Sequence, residues 1–264
     1  MFGAIIGDVV GSRFEFNNIK TKEFELVAHD SEFTDDTVMT IAVMDWMCHA
    51  SDLYDKKEAS AFLQKWAQKY PNAGYGDMFC KWKDMKNPVP YNSCGNGSAM
   101  RISVVGWMCD SENEVKEISS IITGVTHNHK EGLKGAEVTA MMIFKARFGA
   151  SKEELKEYAV SMYPEISSLD YEELRKTYIH GPEICQVTVP QAIYCFLISK
   201  NFEDCLRTTI SIGGDCDTTA AISCAIAEAY YGDIPSELID QVKKKLPGEM
   251  LKVISDVKWL YMLK

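Results

Sequence analysis

Apolar residues recur at every third or fourth position along almost the whole chain, a spacing that is typical of α-helices and not of strands. On an α-helix such residues share one face, and that face must be buried against other helices. Alternation with period two is missing, although residues 23–28 could form a short extended piece. We therefore predict an all-α fold with many helices packed around a buried central layer. The clearest predicted helices are 37–50, 58–70, 114–125, 133–148, 189–200 and 218–232.

Signals at the helix ends support this interpretation. Gly149 follows the segment 133–148, as expected where a helix stops. Ser151 and Glu154 have the spacing of a capping box, and Pro235 is placed to open a further helix.

Length and composition place the chain among ordinary globular proteins. It has 264 residues, of which 46% are hydrophobic and 25% charged, and no linker or repeat divides it. We therefore predict a single domain over residues 1–264. A net charge of −10 disfavours nucleic acid and anionic membranes as partners, but it allows a small anionic ligand held by backbone N–H groups or metal ions. The oligomeric state is left open, with a monomer favoured.

The cysteines and the N-terminus indicate a cytoplasmic location. Nine cysteines are present without a CxxC pair, and several lie in apolar helical segments. We expect reduced thiols, not a disulfide frame or a zinc site. No basic residue precedes the N-terminal apolar run, which Asp8 interrupts, so a secretory signal is disfavoured. No apolar run reaches the ~18 residues that span a membrane.

Two features of the predicted first helix are unusual. Gly3, Gly7 and Gly11 share one face, where another backbone could approach closely. Asp8 is an acid among apolar neighbours on the same helix. We interpret the glycine stripe as a packing surface.

Two segments place acids where apolar helices begin. The first acidic segment, FTDDTVMT, is residues 33–40, and the second, SIGGDCDTTAAI, is residues 211–222. Taken alone, these acids are explained by capping, since side-chain oxygens accept hydrogen bonds from the free N–H groups of a first turn. The oxygen-bearing side chains are Thr34, Asp35 and Asp36 in the first segment, and Asp215, Asp217 and Thr218 in the second.

A metal site is the alternative, and it requires the two segments to meet in one cleft. Four carboxylates at close range cannot all stay ionised without a compensating cation. Oxygen donors without thiolate or imidazole suit Mg²⁺ or Mn²⁺, and a shared carboxylate can hold two ions ~3.5–4 Å apart. Neither segment has the spacing of an EF-hand. The spacing alone leaves capping and metal binding both open.

Two further segments carry polar chemistry next to helices. NSCGNGSAMR, at 92–101, is rich in glycine and could present backbone N–H groups to an anion, but a plain turn explains it equally well. THNHKEGLKG, at 126–135, holds His127 and His129, which on a helix would face different sides and so would not share a metal. Each histidine could bind a ligand or cap the helix that follows.

Together these segments resemble the ADP-ribosylglycohydrolase family. They run in family order over nearly the full chain, and the ordered set is far more specific than any one member. The matching segments are GAIIGDVVGSRFEF (3–16), FTDDTVMT (33–40), GNGSAMR (95–101), THNHKEG (126–132), CQVTVPQAI (185–193) and GGDCDTTAA (213–221). The resemblance implies an all-α fold that binds two divalent metal ions, Mg²⁺ or Mn²⁺.

The resemblance also implies roles for individual residues. Glu15, at the family's Glu-Phe position, would lie beside the scissile bond, and Glu15 and Asp35 are the catalytic candidates. His127 would contact the ligand, with His129 behind it. The metal ligands would be Thr34, Asp35, Asp36, Asp215, Asp217 and Thr218. The residues around the diphosphate of ADP-ribose would be Ser93, Gly95, Asn96, Gly97, Ser98 and Met100.

Four positions depart from the family pattern, and none of them removes an implied metal ligand. Lys130 stands where proline is expected, and Val187 replaces a common glycine. Cys94 replaces a frequent aromatic residue, which makes Tyr91 the substitute candidate for stacking on adenine. Cys216 replaces serine, and its thiol could either meet oxidants beside the metals or point into the core.

The implied reaction is hydrolysis at C1″ of the distal ribose, which releases ADP-ribose from a modified protein or small molecule. Glu15 would act as general base, as general acid or as a gate. Two alternatives stay open. A metal-dependent phosphohydrolase would cut the diphosphate and yield AMP. A binding or structural protein on the same fold would yield no product.

Overall fold

Helices joined by loops make up the computed structural model, which describes residues 1–179 and 181–263. Within these residues there are fifteen α-helices and two short 3₁₀ helices, at Ser12–Phe14 and Pro164–Ser168. The first seven α-helices are α1 Gly3–Gly11, α2 Asp35–His49, α3 Lys56–Lys69, α4 Asp77–Trp82, α5 Gly97–Met100, α6 Ser103–Met108 and α7 Glu112–Gly124. The others are α8 Lys130–Arg147, α9 Lys152–Met162, α10 Tyr171–Thr177, α11 Cys185–Ile198, α12 Phe202–Ile212, α13 Cys216–Tyr231, α14 Ser236–Lys243 and α15 Gly248–Met262.

The all-α prediction is confirmed. The six segments with clear apolar spacing correspond to α2, α3, α7, α8, α11 and α13. Each of these helices begins earlier than predicted, mostly because polar or small residues in a first turn carry no apolar signal. Residues 23–28 form an irregular loop, not an extended piece. None of the helices in the described part of the chain has both the length and the apolar character needed to cross a membrane.

The predicted helix ends are also confirmed. The capping box of Ser151 and Glu154 is present at the start of α9, and Pro235 is the N-cap residue of α14. Gly149 follows α8 with a φ of +84°, a conformation that favours glycine.

Helix α13 lies at the centre of the fold. Its residues from 216 to 227 are all buried, and it packs against α1, α8, α11 and α12. The main apolar core includes residues from both ends of the chain, such as Ile5 of α1 and Ile254 of α15. Because α13 begins within the second acidic segment, the carboxylates of that segment lie at the centre of the molecule.

The backbones of α1 and α13 touch along the glycine stripe. A Cβ atom on Gly7 would overlap the backbone of Ala220, and a Cβ on Gly11 would lie 2.5 Å from the Cα of Asp217. Gly3 faces α13 in the same way. The interpretation of the stripe as a packing surface is confirmed, and the contact fixes the second acidic segment relative to α1.

Gly7→Ala should therefore lower the free energy of unfolding. We expect a loss of about 2 kcal/mol, because overpacking costs ~1–3 kcal/mol even against movable side chains and alanine regains at most ~1 kcal/mol of helix propensity. Urea unfolding followed by circular dichroism measures this change. Gly248→Ala is the matched control, since a Cβ there would meet no atom within 4 Å. Equal stability of the two variants would show that the contact between α1 and α13 is loose.

Candidate active site

A cavity of about 570 Å³, within the size range of small-molecule sites, opens between the two acidic segments. Its walls are the turn after α1, the start of α2, the loop at 72–76 with the first turn of α4, the glycine-rich segment at 92–101 and the start of α13. Ser98 is the one predicted site residue outside its lining. The predicted residues that line it are Glu15, Thr34, Asp35, Asp36, Ser93, Gly95, Asn96, Gly97, Met100, His127, Asp215, Asp217 and Thr218.

Asp8 fixes the start of α2 although it belongs to α1. Its buried carboxylate accepts hydrogen bonds from the Thr34 N–H at 3.0 Å, the Thr34 hydroxyl at 2.8 Å and the Thr37 N–H at 2.9 Å. Burial raises the pKa of Asp8 to about 6, although these hydrogen bonds favour its charged form. The acid among apolar neighbours is therefore a long-range cap for the helix that carries Asp35 and Asp36.

The two acidic segments meet, as the metal hypothesis requires. The Thr218 hydroxyl of the second segment donates to Oδ2 of Asp36 of the first at 3.0 Å. One ligand atom from each of Glu15, Asp215 and Asp217 lies within 4.8 Å of the others. Residues about 180 positions apart thus share one cavity.

Burial and crowding raise the pKa values of several carboxyls in this cluster. Asp35, Asp36 and Asp217 lose hydration, and the charges of neighbouring carboxylates raise their pKa values further. Among the described residues that line the cavity, Arg101 is the only lysine or arginine. The cluster therefore holds more negative charge than its surroundings balance, and a bound cation would stabilise it.

The hydrogen bonds separate capping from metal binding. Thr34 caps α2, because its hydroxyl accepts from the N–H of Asp36 at 3.2 Å. Asp217 accepts from the N–H of Thr218 at 2.9 Å through Oδ1, but Asp215 is the N-cap residue of α13 and makes no side-chain capping bond. Oδ1 of Asp36 is buried without a partner. Capping therefore does not use all of the carboxylate oxygens at the two helix starts. The remaining oxygens are donors of the kind that a hard divalent cation prefers.

Asn96 holds the glycine-rich segment beside the acids. Its side chain donates to Oδ2 of Asp215 at 2.6 Å and to the Thr188 hydroxyl at 3.1 Å. Its backbone N–H donates to the carbonyl of Glu183 at 3.1 Å. The resemblance assigned Asn96 to the diphosphate, whereas its amide is bonded to a candidate metal ligand.

The two serines of this segment point in different directions. Ser93 accepts from the N–H of Gly95 at 3.0 Å and so shapes the turn at the cavity wall. Ser98 is fully buried, and its hydroxyl donates to the carbonyl of Gly132 at 2.9 Å. A ligand contact of Ser98 would therefore have to come from its backbone.

His127 faces the cavity and His129 caps a helix. Nε2 of His127 lies 3.5 Å from where a Cβ on Gly95 would be, and 3.4 Å from the same position on Gly97. Nδ1 of His129 accepts from the N–H of Glu131 at 3.2 Å, at the start of α8. The sequence left ligand binding and helix capping open for each histidine. In the structure His127 is placed to contact a ligand, and His129 caps α8.

The cysteine that separates the two acids of the second segment is a core residue. The thiol of Cys216 is buried and donates to the carbonyl of Gly11 at 3.7 Å, which answers the question of its direction. Tyr91, the substitute candidate for stacking on adenine, does line the cavity, with its ring centre 5.9 Å from that of His127.

The sequence analysis missed the loop at 72–76, the start of α4 and Arg101. The Asp35 N–H donates to the carbonyl of Ala73 at 2.8 Å, and a Cβ on Gly74 would lie 3.2 Å from Oδ1 of Asp35. Gly74 has a φ of +110°, so a glycine suits this place beside the acid. Two glycines around Tyr75 are the only signal the sequence offers for this loop.

The fold and the cavity together define an all-α protein with an acidic site beside a glycine-rich loop. The model of the family described as ADP-ribosylglycohydrolase matches residues 1–263, and the chain belongs to this family. It is therefore an enzyme of the ADP-ribosyl glycohydrolase type.

Individual relatives extend over most of the chain. The chain is 28% identical to the ADP-ribosylhydrolase ARH3 of Mus musculus in an alignment 305 positions long, which covers 87% of this chain and 82% of that protein. It is 25% identical to the ADP-ribosylarginine hydrolase Tri1 of Pseudomonas putida (strain GB-1) in an alignment 275 positions long, which covers 92% of this chain and 72% of that protein. A solved structure of an ADP-ribosylglycohydrolase-related protein complex has the same fold, with a TM-score of 0.70 at 21% identity over 99% of this chain and 95% of that one.

Mg²⁺ or Mn²⁺ should raise the melting temperature, because a ligand of the folded state alone stabilises it by ~2.7 kcal/mol at 100 times its Kd. The rise should be lost in Asp36→Asn and Asp217→Asn, measured by differential scanning fluorimetry. Asp45→Asn is the control, since this buried acid of α2 is bonded to Lys65 and Trp66. It should lower the melting temperature but keep the rise. An equal rise in all three variants would place the metal elsewhere.

Proposed function

We propose that this enzyme is a metal-dependent hydrolase that cleaves the bond at C1″ of ADP-ribose and so releases ADP-ribose from a modified protein or small molecule. One observation carries the proposal. The two acidic segments and Glu15 converge in a cavity that the glycine-rich segment also lines. The names of the relatives support ADP-ribose as the constant part of the substrate.

Two divalent cations, Mg²⁺ or Mn²⁺, fit the oxygen donors of this cavity. When bound, they supply Lewis-acid chemistry at the ribose hydroxyls and at water. The chain's part is to hold the donor oxygens in place: Asp8 does so through Thr34, and Asn96 through Asp215. The proposed ligands are Thr34, Asp35, Asp36, Asp215, Asp217 and Thr218.

Glu15 is the proposed general base or acid. It directly follows the 3₁₀ helix Ser12–Phe14, is half-buried and lines the cavity beside Asp215 and Asp217. Cleavage at C1″ builds positive charge on the ribose and needs a proton taken from water or given to the leaving group. A carboxyl group at this place can do either, since its ionised form takes a proton and its protonated form gives one. Asp35, the second catalytic candidate, faces the same cavity from the start of α2.

The diphosphate is proposed to bind at the glycine-rich segment, because the carboxylate cluster would repel it. Gly95 and Gly97 leave the wall open in front of Nε2 of His127. The backbone N–H group of Gly97, at the start of α5, would meet a phosphate oxygen. The segment thus binds the anionic part of the ligand while the acids bind the cations.

We also propose a cytoplasmic location and one domain over residues 1–264. All nine cysteines are free thiols, and six of them are buried, which suits a reducing compartment. The net charge of −10 supports a modified protein or small molecule, and not nucleic acid, as the substrate.

Product analysis by mass spectrometry tests the proposed reaction. The panel holds ADP-ribosyl-arginine, ADP-ribosyl-serine, O-acetyl-ADP-ribose, poly(ADP-ribose) and ADP-ribosylated nucleic-acid ends. With Mg²⁺ we expect release of intact ADP-ribose, reduced by at least ~100-fold with chelator or in Asp35→Ala and Asp215→Ala. Asp45→Asn should retain the activity. AMP as the product would establish a phosphohydrolase instead, and ADP-ribose binding without turnover a binding protein.

Glu15→Gln tests the role of this residue apart from metal binding. We expect turnover to fall by ~10²–10⁴-fold, since a glutamine can neither take nor give the proton. A rise in melting temperature with Mg²⁺ should persist, because the six proposed metal ligands are unchanged, but it should be smaller, because the charge of Glu15 beside Asp215 and Asp217 is lost. Full turnover with unchanged metal binding would refute a chemical role for Glu15.

A further inference from the structure

Arg101, the last residue of the glycine-rich segment, forms a buried chain of side chains with Thr126 and His127. Their exposed fractions are 1%, 0% and 5%. A terminal guanidinium nitrogen of Arg101 donates to the Thr126 hydroxyl at 2.8 Å, and that hydroxyl lies 2.7 Å from Nδ1 of His127. Nε of Arg101 is buried without a partner. Only the cavity-facing edge of His127 has a role in the proposed function.

The direction of these hydrogen bonds follows from which atoms can accept. Arginine only donates, so the Thr126 oxygen accepts from Arg101. The hydroxyl proton of Thr126 can then go to Nδ1 of His127 or to the carbonyl of Thr123, which is 3.4 Å away. That carbonyl already accepts the backbone N–H groups of Thr126 and His127, at 3.2 and 2.9 Å, and 3.4 Å is longer than an ordinary O–H···O hydrogen bond, whereas 2.7 Å to Nδ1 is a normal hydrogen-bond distance. The charge of Arg101 on the Thr126 oxygen also makes its O–H a better donor and its second lone pair a poorer acceptor. Nδ1 is therefore the acceptor.

An accepting Nδ1 places the single ring proton of a neutral histidine on Nε2. Burial, followed by the charge of Arg101, lowers the pKa of His127 well below its usual value, so the ring is neutral at physiological pH. Nε2 is the atom that faces Gly95 and Gly97. The cavity wall at the glycine-rich segment therefore presents an N–H donor and not a lone pair.

We propose that Arg101 and Thr126 are positioning residues that fix His127 as the Nε2–H tautomer, so that this N–H donates to the diphosphate of the ligand. Arg101 also lines the cavity, and burial lowers its pKa only to about 10, so it stays charged and favours an anion. The identity of the anion rests on the proposed function. The tautomer does not, because it is set in the protein without a ligand.

Thr126→Val tests this inference, because it removes the hydroxyl and keeps the branched shape. NMR of the ring nitrogens in the ligand-free, ¹⁵N-labelled full chain should show the proton on Nε2 of His127 in the wild type. In the variant we expect Nδ1–H or a mixture of tautomers. Calorimetry should show about 10-fold weaker binding of ADP-ribose. Thr126→Ser should restore the tautomer and bring the affinity to within about twofold of the wild type.

Thr123→Val is the matched control. Thr123 is as buried as Thr126, but its hydroxyl has no partner, so the same change should alter neither the tautomer nor the affinity. An unchanged tautomer in Thr126→Val, or equal losses of affinity in the two valine variants, would overturn the inference. If the wild type fails to bind ADP-ribose, the proposed function fails, and NMR of Thr126→Val still decides how the ring of His127 is positioned.

Discussion

The contact between the backbones of α1 and α13 is the constraint on which the rest of the site depends. Because Gly7 and Gly11 have no side chains, α13 comes close enough for Gly11 to lie against Asp217. On the same helix, Asp8 bonds to Thr34 and so fixes the start of α2. One nine-residue helix thus positions both acidic segments, which explains how residues so far apart in the sequence form one cavity.

The buried carboxylate cluster lowers the stability of the fold. Moving an ionised carboxylate out of water costs several kcal/mol of free energy, and only well-placed cations or hydrogen-bond donors offset that cost. The pKa values of Asp35, Asp36 and Asp217 are raised, so the hydrogen bonds of these carboxyls offset only part of the free energy lost on burial. The apolar residues of α13 between 220 and 227 are buried and anchor the same helix. The central helix of the fold therefore holds the charges that need a cation.

Sequence patterns predicted the features that local chemistry determines. Apolar spacing predicted the helices, the capping box of Ser151 predicted the start of α9, and acids at two helix starts pointed to the site. Contacts between distant polar groups have no such pattern. Asn96 and Asp215 are 119 positions apart, and no spacing rule states which acceptor a buried amide will find. The buried direction of Ser98 was hidden for the same reason, since a small polar residue fits a core or a ligand equally well.

Asn96 explains how one cavity can serve an anion and cations at once. Its amide donates to Asp215 on one side, and its backbone is tied to Glu183 on the other, so the glycine-rich segment cannot move without disturbing an acid. A lysine there would neutralise the acid and compete with a cation. An aspartate would repel both Asp215 and a phosphate. A neutral amide joins the two halves of the site without shifting the charge of either, and this requirement, more than any phosphate contact, accounts for an asparagine at this position.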